Sequence, residues 1–299
     1  MAERRSKVME PREAVRAFVP RDGFLAVGGM HMHNAPMALV REIVRQGLPI
    51  GTLSTSPSAG LQADLPIAAG LVREVVCSYI GFEHLGLAPG FRRAAESGSL
   101  RVREADEAFV AYAYRAGASG VPFLPLPEGV GDTDVPRLNP EDYRETTDPF
   151  TGKRVTAVRA LRPDVALVHC QKADASGNGI FEGSVFTDLD MAKAAGAVVV
   201  QCEEVVPNEY VRAHADRVRL PGFLVDAVVP VPFGCHPTAS HRYYRHDEAH
   251  LREYLESAKT GPEAYIRRYV KDPKTHEAYL EAIGGRPRVD ALLEAHTPW

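Results

Sequence analysis

Two adjacent glycines follow the first apolar run of the sequence and are the first candidates for chemistry. Gly28 and Gly29 come directly after Phe24-Leu-Ala-Val27, and Pro36 then opens a segment of helical periodicity. Glycine lets a ligand approach the backbone, and the amino end of a helix offers free N–H groups to an anion or an oxyanion. The pattern is not the GxGxxG dinucleotide motif, because histidines occupy the later positions. A tight turn without a ligand is an equally good interpretation of this feature alone.

The histidines of this loop, His31 and His33, are the second candidates. Two histidines at i and i+2 after a strand can ligate one zinc ion, as in metal-dependent hydrolases. Such a site needs a third ligand, for which His169 and His236 are available near the ends of other apolar runs. Eleven histidines in 299 residues also produce one such spacing by chance. A zinc-dependent hydrolase using His31 and His33 is therefore an alternative of a separate class, and our expectation is that no metal is bound.

Carboxylates near predicted strand ends are possible nucleophiles or general bases, provided that a dry pocket raises their pKa. Glu203 and Glu204 end the most apolar run, where a buried carboxylate requires a specific partner. Asp106 is the expected N-cap of a helix. No GxSxG, P-loop or kinase motif occurs in the sequence, and Ser56 and Ser58 have no adjacent histidine. The other candidate carboxylates are Glu83, Glu104, Glu107 and Glu182.

The elements that must position these residues alternate between β-branched apolar runs and segments of helical periodicity. This alternation is typical of a largely parallel sheet covered by helices. Residues 121–148 are rich in Pro, Gly and Asp, which predicts a long ordered loop. The chain after Asp247 has the period of amphipathic helices. We therefore predict an α/β unit over residues 1–246 and a helical C-terminal extension over residues 247–299.

Composition argues against several classes of function. The formal net charge is −4, so nothing indicates nucleic acid or an anionic membrane as a partner. No apolar run has the length of a membrane span, and the charged N-terminus lacks the apolar segment of a signal peptide. The four cysteines stand singly, without CxxC spacing, as expected of buried thiols in the cytoplasm.

Several segments, in the same order along the chain, resemble the α subunit of glutaconate CoA-transferase, a family I CoA-transferase. The resemblance extends roughly from Met9 to Gly284 and is most specific from Pro163 to Tyr254. A related branch, which the chain also resembles, comprises the α subunits of ring-cleaving CoA hydrolases of steroid degradation. The segments that carry the resemblance include DGFLAVGG, CSYIGFEHLG, PDVALVHCQKADASGN and LPGFLVDAVVPVPFGCHPTASHRYYRHDEAHLREYL.

This resemblance implies a fold, a partner and a reaction. The fold is an open, mainly parallel α/β sheet with helices on both faces. The partner is a homologous β subunit, usually in an α2β2 heterotetramer with the active site between the two kinds of chain. In the transferases the β subunit contributes a glutamate that attacks an acyl-CoA and forms a glutamyl-CoA thioester, which an incoming carboxylate then takes over. Coenzyme A is thus a substrate, and no permanently bound cofactor is expected.

The resemblance also implies roles for residues of this chain. In the hydrolase branch the catalytic glutamate lies on the α chain, in the segment VREADEAF here, so Glu104 and Glu107 are the candidates. The segments MHMHN and HRYYRHDEAH depart from the glutaconate pattern, which leaves both a dicarboxylic and a 3-oxo acyl group open. The residues expected to bind the substrate and CoA are Gly28, Gly29, Ser56, Ser78, Gly81, Glu83 and His84.

Overall fold

The computed structural model describes residues 6–293, in which strands and helices alternate. Positions 1–5 and 294–299 of the two predicted units lie outside the described residues. The strands are β1 (Phe24–Val27), β2 (Ile50–Thr55), β3 (Ser58–Ala59), β4 (Val72–Cys77), β5 (Tyr79–Ile80), β6 (Arg101–Glu104), β7 (Phe123–Pro125), β8 (Tyr143–Thr147), β9 (Arg154–Arg159), β10 (Val165–Ala173), β11 (Gly179–Ile180), β12 (Ala197–Val205), β13 (Val218–Leu220) and β14 (Ala227–Pro230).

The helices connect these strands and continue beyond the last of them. None of the described helices is long and apolar enough to cross a membrane. The helices are α1 (Pro11–Phe18), α2 (Met37–Gln46), α3 (Leu61–Ala68), α4 (Pro89–Glu96), α5 (Glu107–Ala118), α6 (Val135–Leu138), α7 (Asp188–Ala194), α8 (Asn208–Ala213), α9 (Glu248–Thr260), α10 (Glu263–Ile266), α11 (His276–Ala282) and α12 (Gly285–Asp290).

Nine of the described strands form the main sheet, and most of it is parallel. The parallel strands lie in the order β14-β12-β10-β1-β2-β4-β6. Strands that precede β10 in the chain lie on one side of β1 and later strands on the other, so the order reverses between β1 and β10. In open α/β sheets, ligands bind outside the carboxyl ends of the strands at such a switch point. The predicted open, mainly parallel sheet is confirmed.

Each face of the sheet is covered by helices. Val165 and Leu167 of β10 belong to the same apolar core as α2, α3 and α9, whereas Ala166 and Val168 belong to the core of α5 and α7. Successive side chains of a strand point to opposite faces, which accounts for this division. Because both faces are buried, β10 and β12 each begin with four consecutive apolar residues rather than an alternating pattern, and polar residues enter only towards their carboxyl ends.

The helices after residue 247 pack on the first of these faces. Tyr254 of α9 donates a hydrogen bond to Asp64 of α3 at 2.6 Å, and the same carboxylate accepts from the backbone N–H groups of Gly90 and Phe91 at 3.2 and 2.5 Å. Burial raises the pKa of Asp64, and these donors oppose that shift. The division of the chain at residues 246 and 247 stays a prediction.

Two segments differ from the prediction made on the sequence. Residues 121–148, predicted as one long loop, contain β7, α6 and β8, and β7 and β8 pair with β9 in a three-stranded antiparallel sheet. Helix α3 is not predicted at all, because it is buried on all sides and contains Pro66, so it lacks an amphipathic period. Helix α5 does begin after Asp106, whose Oδ1 accepts from the Phe109 N–H at 2.8 Å.

Candidate functional site

The loops that follow β1, β2, β4 and β6 meet at the carboxyl ends of these strands, beside the switch point. Strands β3 and β5 pair with each other and thereby join the loops after β2 and β4. The His31 N–H donates to the Ser58 carbonyl at 2.9 Å, and the Gly81 N–H donates to the Ala59 carbonyl at 2.8 Å. Backbone hydrogen bonds thus fix the loops relative to one another. We refer to residues 28–34, 56–60, 78–84 and 104–107 as the strand-end site.

A buried aspartate from α7 occupies the turn after β1. Oδ1 of Asp188 accepts a hydrogen bond from the Gly29 N–H at 2.9 Å and from the Ser56 hydroxyl at 3.4 Å. A Cβ at Gly28 would lie 2.4 Å from that oxygen, so only glycine leaves room for the carboxylate. Gly29 has a φ of 84°, which favours glycine for a second reason. Burial raises the pKa of Asp188 to about 6.

The two glycine N–H groups therefore both have partners within the chain. Gly28 donates to the Leu167 carbonyl at 2.8 Å, and Gly29 donates to Asp188. From the sequence we expected these N–H groups to donate to an oxyanion. In this arrangement neither of them is free to do so. What the glycines provide here is close packing of a carboxylate against the backbone, with Ser56 as a second donor to it.

Two glutamates lie at the exposed rim of the strand-end site. Glu107 begins α5, and its Oε1 accepts a hydrogen bond from the Ser58 hydroxyl at 3.3 Å. The amino end of a helix favours a carboxylate in this position. Glu83 lies against Nδ1 of His31. Both glutamates are exposed, so their carboxylates can reach a substrate or a partner protein.

The remaining residues expected at the site fall into two groups. Ser78 donates to the Pro57 carbonyl, and Gly81 is buried beside the β3–β5 pair, so both belong to the strand-end site. His84 lies 3.5 Å from Glu248 of α9, and Glu104 is exposed at the end of the edge strand β6. His84 and Glu104 therefore lie at the outer edge of the strand-end site.

The side chains of His31 and His33 do not converge on one point where a single metal ion could bind both. The His33 ring stacks on His241 with centroids 5.1 Å apart and lies edge-on to His246 at 6.4 Å, whereas His31 contacts Glu83. Burial, reinforced by the neighbouring histidines, lowers the pKa of His33 to about 4, so its ring is neutral at pH 7. Among the described residues, neither histidine belongs to a group of three metal-ligating side chains. The zinc hydrolase hypothesis, which requires both on one ion, does not fit this geometry.

A second polar cluster lies between β10, β12 and the segment after β14. Glu203 accepts hydrogen bonds from the Tyr244 hydroxyl at 2.6 Å and the Phe233 N–H at 2.7 Å, and Nε2 of His169 lies 3.3 Å from it. Nδ1 of His169 in turn faces Nε2 of Gln201 at 3.1 Å. A buried carboxylate at this strand end needs specific hydrogen-bond partners, and these contacts supply them.

Within the described chain, only His169, Glu203 and Cys235 bring ligand atoms close enough to share a metal, within 4.8 Å of one another. Hydrogen bonds within the protein already engage the histidine and the carboxylate. Burial raises the pKa of the Cys235 thiol well above its usual value, which disfavours the thiolate that a metal needs. The donor set therefore fits a packed hydrogen-bonded cluster better than a metal centre.

Several site residues carry no signal that identifies them in the sequence. Asp188 meets Gly29 across 159 positions of the chain, and His241 and His246 reach His33 from a distant segment in the same way. An acidic residue at the start of a helix, such as Asp188, is only a weak indication of a functional residue. The sequence, however, predicts that this helix begins at Asp190.

Known proteins resemble the chain over most of its length. A family model described as "Coenzyme A transferase" matches residues 8–230. The α chain of glutaconate CoA-transferase from Acidaminococcus fermentans is 31% identical over 296 residues, covering 93% of this chain and 92% of the relative. The IpdA component of the cholesterol ring-cleaving hydrolase from Rhodococcus jostii is 36% identical over 256 residues, covering 81% and 83%. The chain spans 64% of the length of a further relative, from Archaeoglobus fulgidus, at 36% identity over 290 residues.

Solved structures agree with these relatives. The crystal structure of the Acidaminococcus fermentans glutaconate CoA-transferase superposes with a TM-score of 0.89 at 31% identity, covering 97% of this chain and 96% of that one. The decarboxylase AibA/AibB superposes with a TM-score of 0.79 at 36% identity, covering 88% and 97%. The family match, the sequence relatives and the parallel sheet with its switch point all lead to one assignment. The chain belongs to the coenzyme A transferase family.

Proposed function

We propose that this chain is the α subunit of a two-subunit CoA-transferase that moves CoA from an acyl-CoA to a free carboxylate. The nucleophile is a glutamate of a homologous β subunit, and the reaction passes through a glutamyl-CoA thioester. The acyl group is a dicarboxylic or 3-oxo acid. One observation carries the proposal: Asp188, the buried carboxylate beside the strand-end site, is held by the Gly29 N–H and Ser56, and the glutamates of the site are exposed.

The chemistry explains why such a site is half of an active site. A carboxylate that attacks an acyl-CoA forms a mixed anhydride and releases CoA as a thiolate. The thiolate then attacks the glutamyl carbonyl of the anhydride, which gives the glutamyl-CoA thioester and releases the original acyl group as a free carboxylate. The nucleophile must be shielded from water, because water would hydrolyse the anhydride. Glu107 and Glu83 are exposed in this chain and therefore lack that shielding. The strand-end site supplies one wall, and a second protein surface would close it.

An exposed apolar side chain at the edge of the strand-end site supports the presence of a partner. Leu87 is 65% exposed, and its backbone forms a β-bridge with Gly81 of the site. We infer that a homologous β subunit covers this edge and that the assembly is an α2β2 heterotetramer. The cysteines of the described chain are buried and free, which supports a reducing cytoplasmic location.

Reconstitution tests the proposal. The isolated chain should show no CoA transfer, and co-expression with its β partner should give activity with an acyl-CoA and a carboxylate acceptor. Hydroxylamine or borohydride treatment of the acyl-CoA-loaded complex, followed by peptide mass mapping, should mark a single glutamate of the β subunit. Full activity of the isolated chain, or a mark on this chain, would contradict the proposal.

A second candidate function is a ring-opening acyl-CoA hydrolase that uses Glu107 or Glu104. The contact between Glu107 and Ser58 at the start of α5 favours it, because it orients a carboxylate at the rim of the site. The matched substitutions Glu107→Gln and Glu104→Gln separate the two functions. A hydrolase should lose at least about a hundredfold in kcat from one of them. A transferase with its nucleophile on the partner should lose less than about tenfold from either.

A further inference from the structure

The switch point of the sheet has a second side, which has no part in the reaction proposed for the strand-end site. Residues 239–246 lie on this side, over the carboxyl end of β10, where the Ser240 hydroxyl is 3.1 Å from Nε2 of His169. They also contact the strand-end site directly, because the Asn34 N–H donates to the Ala239 carbonyl at 2.7 Å. The two sides therefore adjoin at the point in the sheet where a ligand is expected.

The charged residues of this second side are two arginines and one buried glutamate. Glu182 is 7% exposed, and its N–H donates to Oε1 of Gln171 in β10 at 2.7 Å. One carboxylate oxygen of Glu182 lies against Arg217, and the other lies 3.2 Å from Nη1 of Arg242. One carboxylate cannot neutralise two guanidinium groups, so the three residues together carry one positive charge. We call these three residues the Glu182 cluster.

Arg242 is the accessible member of the Glu182 cluster. Its side chain is 57% exposed, compared with 35% for Arg217 and 9% for Glu182. A guanidinium has five N–H donors in a fixed planar arrangement, and the contact with Glu182 is made through Nη1. The donors that do not face Glu182 can therefore reach a ligand, while the ion pair restricts the orientation of the group.

The backbone of Arg242 is held in a strained conformation. Its φ of 66° lies in the left-handed region, which favours glycine. Six described residues other than glycine have such a φ, and His31, Asn34 and Glu83 of the strand-end site are among them. Four of the six thus lie on the two sides of the switch point. Strain of this kind persists where the surrounding structure fixes a side chain in one position, often at a ligand site.

The two sides of the switch point carry charges of opposite sign. Glu83 and Glu107 are exposed on the strand-end side, and they would repel a carboxylate that a substrate brought there in addition to its reacting group. The Glu182 cluster on the other side attracts such a carboxylate, because a guanidinium can bind a carboxylate through two parallel N–H donors. A substrate with a carboxylate at the end opposite its reacting group therefore fits across the switch point.

We propose that Arg242 is a specificity-determining residue that binds the second carboxylate of a dicarboxylic substrate, and that Glu182 orients its guanidinium. This inference rests on the proposed function, and it favours the dicarboxylic class over 3-oxo acids that lack a second carboxylate. The segments MHMHN and HRYYRHDEAH, which depart from the glutaconate pattern, also meet here, because His33 stacks on His241 beside Arg242. Both departures therefore lie where this end of the substrate would bind.

Isotope exchange between a CoA ester and its own free acid, in the reconstituted two-subunit complex, tests the proposal. The two acids are glutarate and its monoamide, which replaces the second carboxylate by a neutral group of similar shape. The kcat/KM of the wild type should be at least about fivefold higher for glutarate. Arg242→Met should lower the glutarate value at least about fivefold and change the monoamide value by less than about twofold.

Two further variants complete the test. Arg242→Gly removes the guanidinium and also relieves the left-handed backbone, so it should fold, and it should lose the preference for glutarate as Arg242→Met does. Arg245→Met is the matched control on an exposed arginine of the same segment, which donates to the Ala291 carbonyl at 3.2 Å. It should change kcat/KM for either acid by less than about twofold.

Several results would overturn the proposal. Equal exchange of the two acids by the wild type is one, and an unchanged preference for glutarate in the Arg242 variants is another. An equal loss for both acids would assign Arg242 to the phosphates of CoA instead. Absence of exchange with either acid would count against the proposed function. Calorimetric titration of the complex with the two free acids would then decide the role of Arg242. Glutarate should still bind at least about fivefold more tightly than the monoamide, and equal affinities or no saturable binding would overturn the proposal.

Discussion

Glu203 lies near the end of β12 and Glu107 begins the helix that follows β6, so both lie near the carboxyl ends of parallel strands, but their surroundings are opposite. Glu203 is 5% exposed, and the Tyr244 hydroxyl, the Phe233 N–H and His169 surround its carboxylate. Glu107 is exposed and has one contact, with the Ser58 hydroxyl at 3.3 Å. A buried carboxylate that accepts from fixed donors contributes to the fold. A carboxylate with one weak donor at an open rim is available to a substrate or a partner.

The largest expected effect is on the buried side of this comparison. Glu203→Ala leaves the Tyr244 hydroxyl and the Phe233 N–H buried without an acceptor, so we expect a loss of about 3–5 kcal/mol in the free energy of unfolding. Urea denaturation measures it. Glu204→Ala, on the exposed neighbouring residue, is the control and should cost less than about 1 kcal/mol. Equal stability of the two variants would remove the contrast between the buried and the exposed carboxylates.

Asp188 gives the next effect, which depends on pH. Because burial raises its pKa from 3.8 to about 6, the folded state binds this proton more tightly than the unfolded state. Wild-type stability should therefore fall, relative to Asp188→Asn, as the pH rises from about 4 to about 6. At about 1.4 kcal/mol per pKa unit, this relative loss of wild-type stability approaches ~3 kcal/mol between about pH 4 and about pH 7.

Urea denaturation of both proteins from about pH 4 to about pH 7.5 measures this difference. The asparagine of the variant is nearly isosteric with the carboxylate, and its amide oxygen can still accept from the Gly29 N–H. Asp190→Asn, on a half-buried residue of the same helix, is the control and should show no comparable pH dependence. A constant difference between wild type and Asp188→Asn across this range would show that the buried carboxylate carries no such penalty.

Gly28→Ala tests the close packing of the strand-end site. The new Cβ would lie 2.4 Å from Oδ1 of Asp188 and 3.3 Å from the Leu167 carbonyl oxygen. We expect a loss of about 2 kcal/mol in the free energy of unfolding, typical of overpacking at a rigid position. In a protein that already carries Asp188→Ala, the substitution Gly28→Ala should cost much less free energy of unfolding than it does in the wild type, because the clashing carboxylate is gone. Additive losses would contradict this interpretation of the turn.

The smallest expected effect is on the exposed side of the comparison. Glu107→Gln should change the free energy of unfolding by less than about 0.5 kcal/mol, because the residue is exposed and the amide oxygen can still accept from Ser58. Urea denaturation at neutral pH measures it. A loss above about 2 kcal/mol would assign Glu107 to the fold. A small change means that any loss of activity in this variant reports on the reaction.

Much of the fold could be predicted from the sequence, because local patterns encode it. The first apolar run, over Phe24–Val27, is a strand, and Asp106 caps the helix that follows it, as the sequence predicts. The segment over residues 121–148 and helix α3 could not be predicted in the same way. The first is ordered by pairing with β9, and the second is buried on every side, so neither has a local periodicity that distinguishes it.

The parallel α/β class, the glycine turn after the first strand and the resemblance to CoA-transferases could all be inferred before the fold was known. These depend on period, on residue type and on the order of segments, all of which are local or linear. The tertiary structure alone decided that Asp188 occupies the glycine turn, that His31 and His33 diverge, and that Glu203 is enclosed while Glu107 is open. Each of those depends on which distant strands become neighbours, and the environment that strand order creates sets the chemistry of each side chain.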